Sequence, residues 1–189
     1  AIAEKLTWTV FLIVANLVVY IYTSIRGGDF LVTSFDVLRL YGQYNWAVII
    51  QGWYWQLFTS MFVHVHLPHL ALNMFFLLIF GLRAEELFRG EEFLLIYFVS
   101  GFAGNLLTLL LPLYTVSAGA SGAIFGVFGA SVIYIRKSFG MPVFTAVVYS
   151  LLFLILGVSE GVNLLAHLGG LAIGLVIGYL LARSRKSSF

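Results

Sequence analysis

Residues 162–182, VNLLAHLGGLAIGLVIGYLLA, hold no Asp, Glu, Lys or Arg, and Arg183 and Arg185 follow directly. A helix of this length rises about 30 Å, the thickness of a bilayer's hydrocarbon core. Gly170, Gly174 and Gly178 recur every fourth residue, so they share one face along which another helix backbone can approach closely. His167 lies one turn before Gly170, and an ionisable side chain inside an apolar run is a functional candidate.

The rest of the chain has the same character. Of 189 residues, 61% are hydrophobic and 10% charged, against about 25% charged in soluble domains. Apolar runs bounded by charge, Pro or Gly predict helices near 6–25, 67–88, 92–111, 119–136, 141–158 and 162–182. The expected fold is an all-α polytopic membrane protein, a six-transmembrane-helix bundle with a long first loop, forming one domain over 1–189. The run 6–25 exceeds a signal-peptide core and lacks a small-residue cleavage pattern, so it reads as a retained span. The chain opens on Ala1 rather than Met, and residues upstream are expected.

A formal net charge of +2 without a basic stripe gives no reason to expect nucleic acid as a partner. The absence of cysteine excludes disulfides, thiolate metal sites and a cysteine nucleophile. With the N-terminus inside, Lys5, Arg83, Arg89, Arg136, Lys137, Arg183, Arg185 and Lys186 all fall on the cytoplasmic side, leaving Arg26 and Arg39 outside. The positive-inside rule therefore predicts both termini in the cytoplasm. Segment 26–66 is too polar to span and carries Tyr41, Tyr44, Trp46, Trp53, Tyr54 and Trp55, which suits the outer membrane interface.

Very few polar side chains lie within the apolar runs. Asn73, Ser121 and His167 sit on three helices predicted to run from outside to inside, each within about 10 Å of the outer boundary. One polar layer open to outside water accommodates all three. Ser121 lies in Gly119-Ala120-Ser121-Gly122, where small neighbours leave its hydroxyl approachable, although serine in such a stretch also serves helix packing. If the Gly122-x-x-x-Gly126 face meets the Gly170, Gly174 and Gly178 face, His167 comes within reach of Ser121 as a general base.

The nearest acid to His167 is Glu160, seven residues upstream and expected in the external turn, so a Ser-His dyad is the expectation. Asn73, one turn after His69, makes that pair candidate donors to a developing oxyanion, with structural hydrogen bonding as the alternative for each. Three histidines can hold zinc, and His64, His66 and His69 cluster; against this, no HExxH occurs and no acid is close enough to act as base. No cofactor or metal is expected.

Four patterns in order resemble the rhomboid proteases in their six-helix prokaryotic form. Trp55 to His64 resembles the segment leading into the second helix, and His69-x-x-x-Asn73, Gly119-x-Ser121-Gly122 and Ala166-His167-x-x-Gly170-x-x-x-Gly174 resemble the three that follow. The resemblance implies an intramembrane serine endopeptidase that cleaves transmembrane segments of membrane proteins near their outer end, through an acyl-enzyme on Ser121 with His167 as base. It implies an oxyanion site of His69, Asn73 and the Ser121 N–H, in a cell membrane, with the active site opening to the extracytoplasmic side. Its partners would be substrate transmembrane segments and the lipid bilayer. Gly119, Gly122, Phe125, Gly170 and Gly174 would support the site, while His64 and Glu85 match structural positions. Motion of the fifth helix and cap, here 141–161, would admit substrate.

Two positions depart from the family. Gln56 stands where an arginine often follows the tryptophan, so neutral hydrogen bonds must replace a salt bridge in the first loop. Phe125 stands where some bacterial members have tyrosine; its ring can stack on His167 but carries no hydroxyl. Two other classes are a rhomboid-like binder that guides transmembrane segments without cutting, which usually lacks the serine or the histidine, and a channel or transporter. The latter would show broken helices at mid-membrane, whereas Pro112 and Pro142 fall at helix boundaries.

Overall fold

Thr7 opens the first helix: its hydroxyl accepts the Val10 amide, and α1 (Trp8–Gly27) runs until Gly28, at φ 75°, returns its N–H to the Ser24 carbonyl. The computed structural model describes residues 7–156 and 162–186. The segment after α1 contains α2 (Phe35–Tyr41), β1 (Gln43–Tyr44), α3 (Asn45–Ile50) and α4 (Gln56–Thr59). Then come α5 (Leu67–Leu87), α6 (Gly90–Thr108), β2 (Val116–Ser117), α7 (Ser121–Ser138), α8 (Val143–Leu156) and α9 (Leu164–Lys186).

Each of the six predicted runs contains a helix among the described residues, with two informative differences at their starts. The run predicted from 119 begins at Ser121, because Gly119 has φ 136°, a conformation no helix admits. The run predicted from 162 begins at Leu164, because the Asn163 side chain turns back to accept the Ala166 amide. Three helices, α1, α5 and α9, are long and apolar enough to cross a membrane by length and composition, and α8 is a shorter apolar helix. α6 and α7 carry charge at one end, Glu91 and Glu92 in the first turn of α6 and Arg136 and Lys137 in the last turn of α7.

No residue from 121 to 137 is exposed: α7 is packed on all sides, with Ile124, Phe125, Val127 and Ile133 buried alongside its small residues. Its glycine face meets that of α9: a methyl added at Gly170 would be driven into the Gly122 carbonyl, and one at Gly174 into the Gly126 carbonyl. In contrast, α1 turns Phe11, Val14, Val18, Ile21 and Ile25 outward.

Buried polar groups in the helices are more numerous than the sequence suggests, and several are satisfied by their own backbone. Asn16 donates to the Leu12 carbonyl, Thr108 to Gly104 and Ser131 to Val127, the local bonding that lets polar side chains persist in apolar surroundings.

The first loop is held by amides. β1 pairs antiparallel with β2, Gln43 opposite Ser117 and Tyr44 opposite Val116. Gln43 donates to the Asn105 carbonyl at 2.9 Å, Asn45 to the Thr108 carbonyl at 2.9 Å, and Asn105 to the Leu57 carbonyl at 2.7 Å. Gln56 accepts the Tyr44 amide at 2.9 Å and donates to the Arg39 carbonyl at 2.8 Å, so neutral hydrogen bonds organise this position.

Charges tie the opposite end. Glu85 accepts the amides of Trp8 at 3.1 Å and Thr9 at 2.7 Å, fastening α5 to the N-terminus of α1. Arg185 of α9 reaches Glu92 at 2.5 Å, the Leu87 carbonyl and the Tyr134 hydroxyl.

Candidate active site

Three segments deliver the site to the bundle end that bears the first loop. The chain leaves β2 through Gly119, whose amide donates to the Ser60 carbonyl at 2.9 Å, and turns into α7 with Ser121 as the first helical residue. No side chain caps that helix start, so the amides of its first turn have no intrahelical carbonyl and face outward with the positive end of the helix dipole. α9 brings His167 to the same place: its Nε2 lies 2.8 Å from Ser121 Oγ.

The seam of α7 and α9 allows this approach, because glycines at 122 and 170 leave their backbones nearly in contact. Phe125, one turn into α7, stacks on the His167 ring with centroids 4.3 Å apart and planes 24° from parallel. Phe153 of α8 packs behind Phe125 at 4.6 Å. His167 Nδ1 is buried and has no hydrogen-bond partner among the described residues, so within them ring orientation rests on stacking and on the placement of α9. Glu160 lies outside the described residues.

His69 borders the serine from α5. A Cβ added to Gly119 would lie 2.8 Å from His69 Cε1 and 3.9 Å from Ser121 Oγ, which puts glycine, imidazole and hydroxyl side by side. Asn73 makes a hydrogen bond within its own helix, the structural alternative that its sequence position also allowed. Its Nδ2 donates to the His69 carbonyl one turn back at 2.8 Å, while its Oδ1 is buried without a partner among the described residues.

The remaining histidines serve this corner structurally. His66 Nδ1 accepts the His69 amide at 3.0 Å and caps α5. His64 is fully buried, its ring 5.2 Å from that of His69. Burial, with smaller repulsion from His69 and His66 and some opposition from the Phe62 backbone, pushes its imidazole down to about 3, so it is neutral at physiological pH. Among the described residues no three His, Cys, Asp or Glu side chains converge as a metal site.

Sequence reasoning passed over Asn163. It accepts the Ala166 amide, donates to Thr108 Oγ1 at 2.7 Å and donates to Ser117 Oγ at 2.8 Å. Its signal was an amide residue just ahead of an apolar run, the usual mark of a helix start. Phe153 was also missed; nothing in a uniformly apolar helix marks which ring faces the site.

A family model described as the Rhomboid domain matches residues 51–184. The chain belongs to the rhomboid family. RHOMBOID-like protein 6, mitochondrial, of Arabidopsis thaliana is 33% identical over 177 residues, 89% of this chain and 57% of that protein. Rhomboid protease GluP of Bacillus subtilis (strain 168) is 31% identical over 192 residues, 98% of this chain and 37% of that protein. Rhomboid-like protease 3 of Toxoplasma gondii is 32% identical over 134 residues, 65% of this chain and 50% of that protein. This rhomboid chain thus spans about half the length, or less, of several curated relatives it matches. Family membership together with its apolar spanning helices makes it a multi-pass membrane protein.

Proposed function

We propose that this rhomboid protein is an intramembrane serine endopeptidase that cuts transmembrane segments of membrane proteins near their outer ends. The observation that carries the reading is the 2.8 Å contact between Ser121 Oγ and His167 Nε2 at an uncapped helix start. The names of relatives, Rhomboid protease GluP among them, support the same chemistry.

In the proposed reaction His167 Nε2 takes the Ser121 hydroxyl proton as Oγ attacks the scissile carbonyl. The carbonyl oxygen, now negative, sits against the Ser121 N–H, with the His69 ring and the Asn73 amide as further donors; Asn73 turns from the His69 carbonyl to take part. Preorganised donors of this kind are worth about 3–4 kcal/mol each at an oxyanion. The proton passes to the leaving amine, giving an acyl-enzyme on Ser121, and His167 then activates the water that releases the acid. Phe125 holds the imidazole by its face, since no carboxylate among the described residues partners Nδ1. No cofactor is needed.

The proposed setting is a cell membrane, with 1–189 as one domain of six spans, an interfacial first loop, both termini cytoplasmic and the site opening to the extracytoplasmic side. The basic end formed by Arg83, Arg89, Arg136 and Arg185, opposite the site, supports this orientation. The fifth span and following cap, 141–161, would move to admit substrate. Of that stretch, 157–161 lies outside the described residues.

Ser121→Ala is expected to abolish cleavage of a transmembrane substrate in liposomes while the protein stays folded. A fluorophosphonate is expected to label wild type but neither Ser121→Ala nor His167→Ala. Full cleavage by the serine variant, or equal labelling of the histidine variant, overturns the assignment.

A further inference from the structure

Every hydrogen-bonding atom of the Asn163 side-chain amide is committed to a segment that bears on the dyad. Oδ1 accepts the Ala166 amide at 3.1 Å and so caps α9 one residue before His167. The backbone repeats the hold, since the His167 amide donates to the Asn163 carbonyl at 3.3 Å. Nδ2 donates to Thr108 Oγ1, on the last residue of α6, at 2.7 Å, and to Ser117 Oγ, on β2, at 2.8 Å. Ser117 is four residues before Ser121, on the strand that feeds the Gly119 turn. Thr108 is itself fixed, because its hydroxyl donates to the Gly104 carbonyl.

One side chain therefore joins the helix of the proposed base, the strand leading to the proposed nucleophile and the end of α6. That junction matters more here than it would beside a triad. Among the described residues His167 Nδ1 has no hydrogen-bond partner, so none of their polar groups corrects a shift of its helix from the far side of the ring. We propose that Asn163 is the positioning residue of the dyad: through its three side-chain hydrogen bonds it sets the Ser121 to His167 separation. The inference rests on the protease reading. A misplacement of about 1 Å is enough to cost roughly a hundredfold in rate.

The test compares full-length wild type, Asn163→Ala, Asn163→Asp and Thr108→Val in liposomes, by cleavage kinetics, fluorophosphonate labelling across pH and thermal melting. Asn163→Asp is the informative variant, because it keeps the cap acceptor and loses both donors. For Asn163→Ala, kcat is expected to fall about ten- to a hundredfold with KM within about twofold, and the labelling rate to fall in parallel. Asn163→Asp is expected to melt closer to wild type than Asn163→Ala yet share most of its kcat loss, with a displaced acid limb in its pH profile. Thr108→Val, leaving the Ser117 bond, should lie between wild type and Asn163→Asp.

Wild-type kcat and an unmoved acid limb in a folded Asn163→Asp enzyme overturn the inference. So does a loss in all variants that only follows their melting temperatures. A wild-type protein that neither cleaves nor labels, like Ser121→Ala, overturns the protease reading itself, an outcome distinct from the failure of Asn163.

Discussion

At the scale of single residues, burial decides what the four histidines can be. His167 and Ser121 face one another with no carboxylate among the described residues to orient the ring, and the flat face of Phe125 takes up part of that work. His66 is spent on a helix cap. His64, buried under the first loop, is held neutral with its pKa pushed down to about 3, against about 6.5 in an unfolded chain. Between those values the unfolded state binds the extra proton, so the His64 contribution to stability is fully present above about pH 6.5 and is lost as pH falls toward 3. Thermal melting in detergent at stepped pH should show this decline, and His64→Leu should flatten it; an unchanged slope in that variant would assign the acid lability elsewhere. The sequence singled out His167 as a base and His69 as an oxyanion candidate, and matched His64 to a structural position, while His66 entered only a possible metal cluster. Their surroundings separate a site residue from a cap and a buried ring.

Among elements, the seam between α7 and α9 was the most legible. Glycines every fourth residue on two apolar runs say that two backbones approach, and the structure places Gly170 against the Gly122 carbonyl and Gly174 against that of Gly126. Packing in a membrane draws on van der Waals contact rather than on release of water, so lost closeness is not compensated. Gly170→Ala is expected to cost about 1–3 kcal/mol and to slow fluorophosphonate labelling by parting Ser121 from His167. Val176→Ala, on the exposed side of the same helix, should do neither. Equal melting temperatures and labelling rates for the two variants would show that the seam tolerates a methyl. The short elements of the first loop were not legible. Gln43, Asn45, Gln56 and Asn105 bond across 17 to 63 residues of sequence to reach backbone carbonyls, and no local pattern announces a partner that distant.

For the whole molecule, the two ends are built from different materials, amides around the site and charges at the far end. Glu85 takes two amides from the start of α1, where the first N–H groups of a helix lack intrahelical partners. Glu85→Ala is expected to lower stability by about 1–3 kcal/mol, read from detergent melts, while kcat well below the melting temperature stays at the wild-type value. A kcat loss without a stability loss would move Glu85 from scaffold to site. The sequence by itself determined that the chain belongs in a membrane, where its helices run, which glycine faces could meet and that Ser121 and His167 were the residues to pair. The first three follow from composition and local period, which each residue carries with it; the pairing of Ser121 with His167 was an expectation drawn from a shared polar layer and the family resemblance. Only the tertiary structure decided that Asn73 bonds back to its own helix, that Phe153 backs Phe125 and that Asn163 ties three segments together. Such choices depend on which buried donor finds which acceptor once the helices have packed, and the desolvation cost that forces each pairing does not exist until the neighbours are in place.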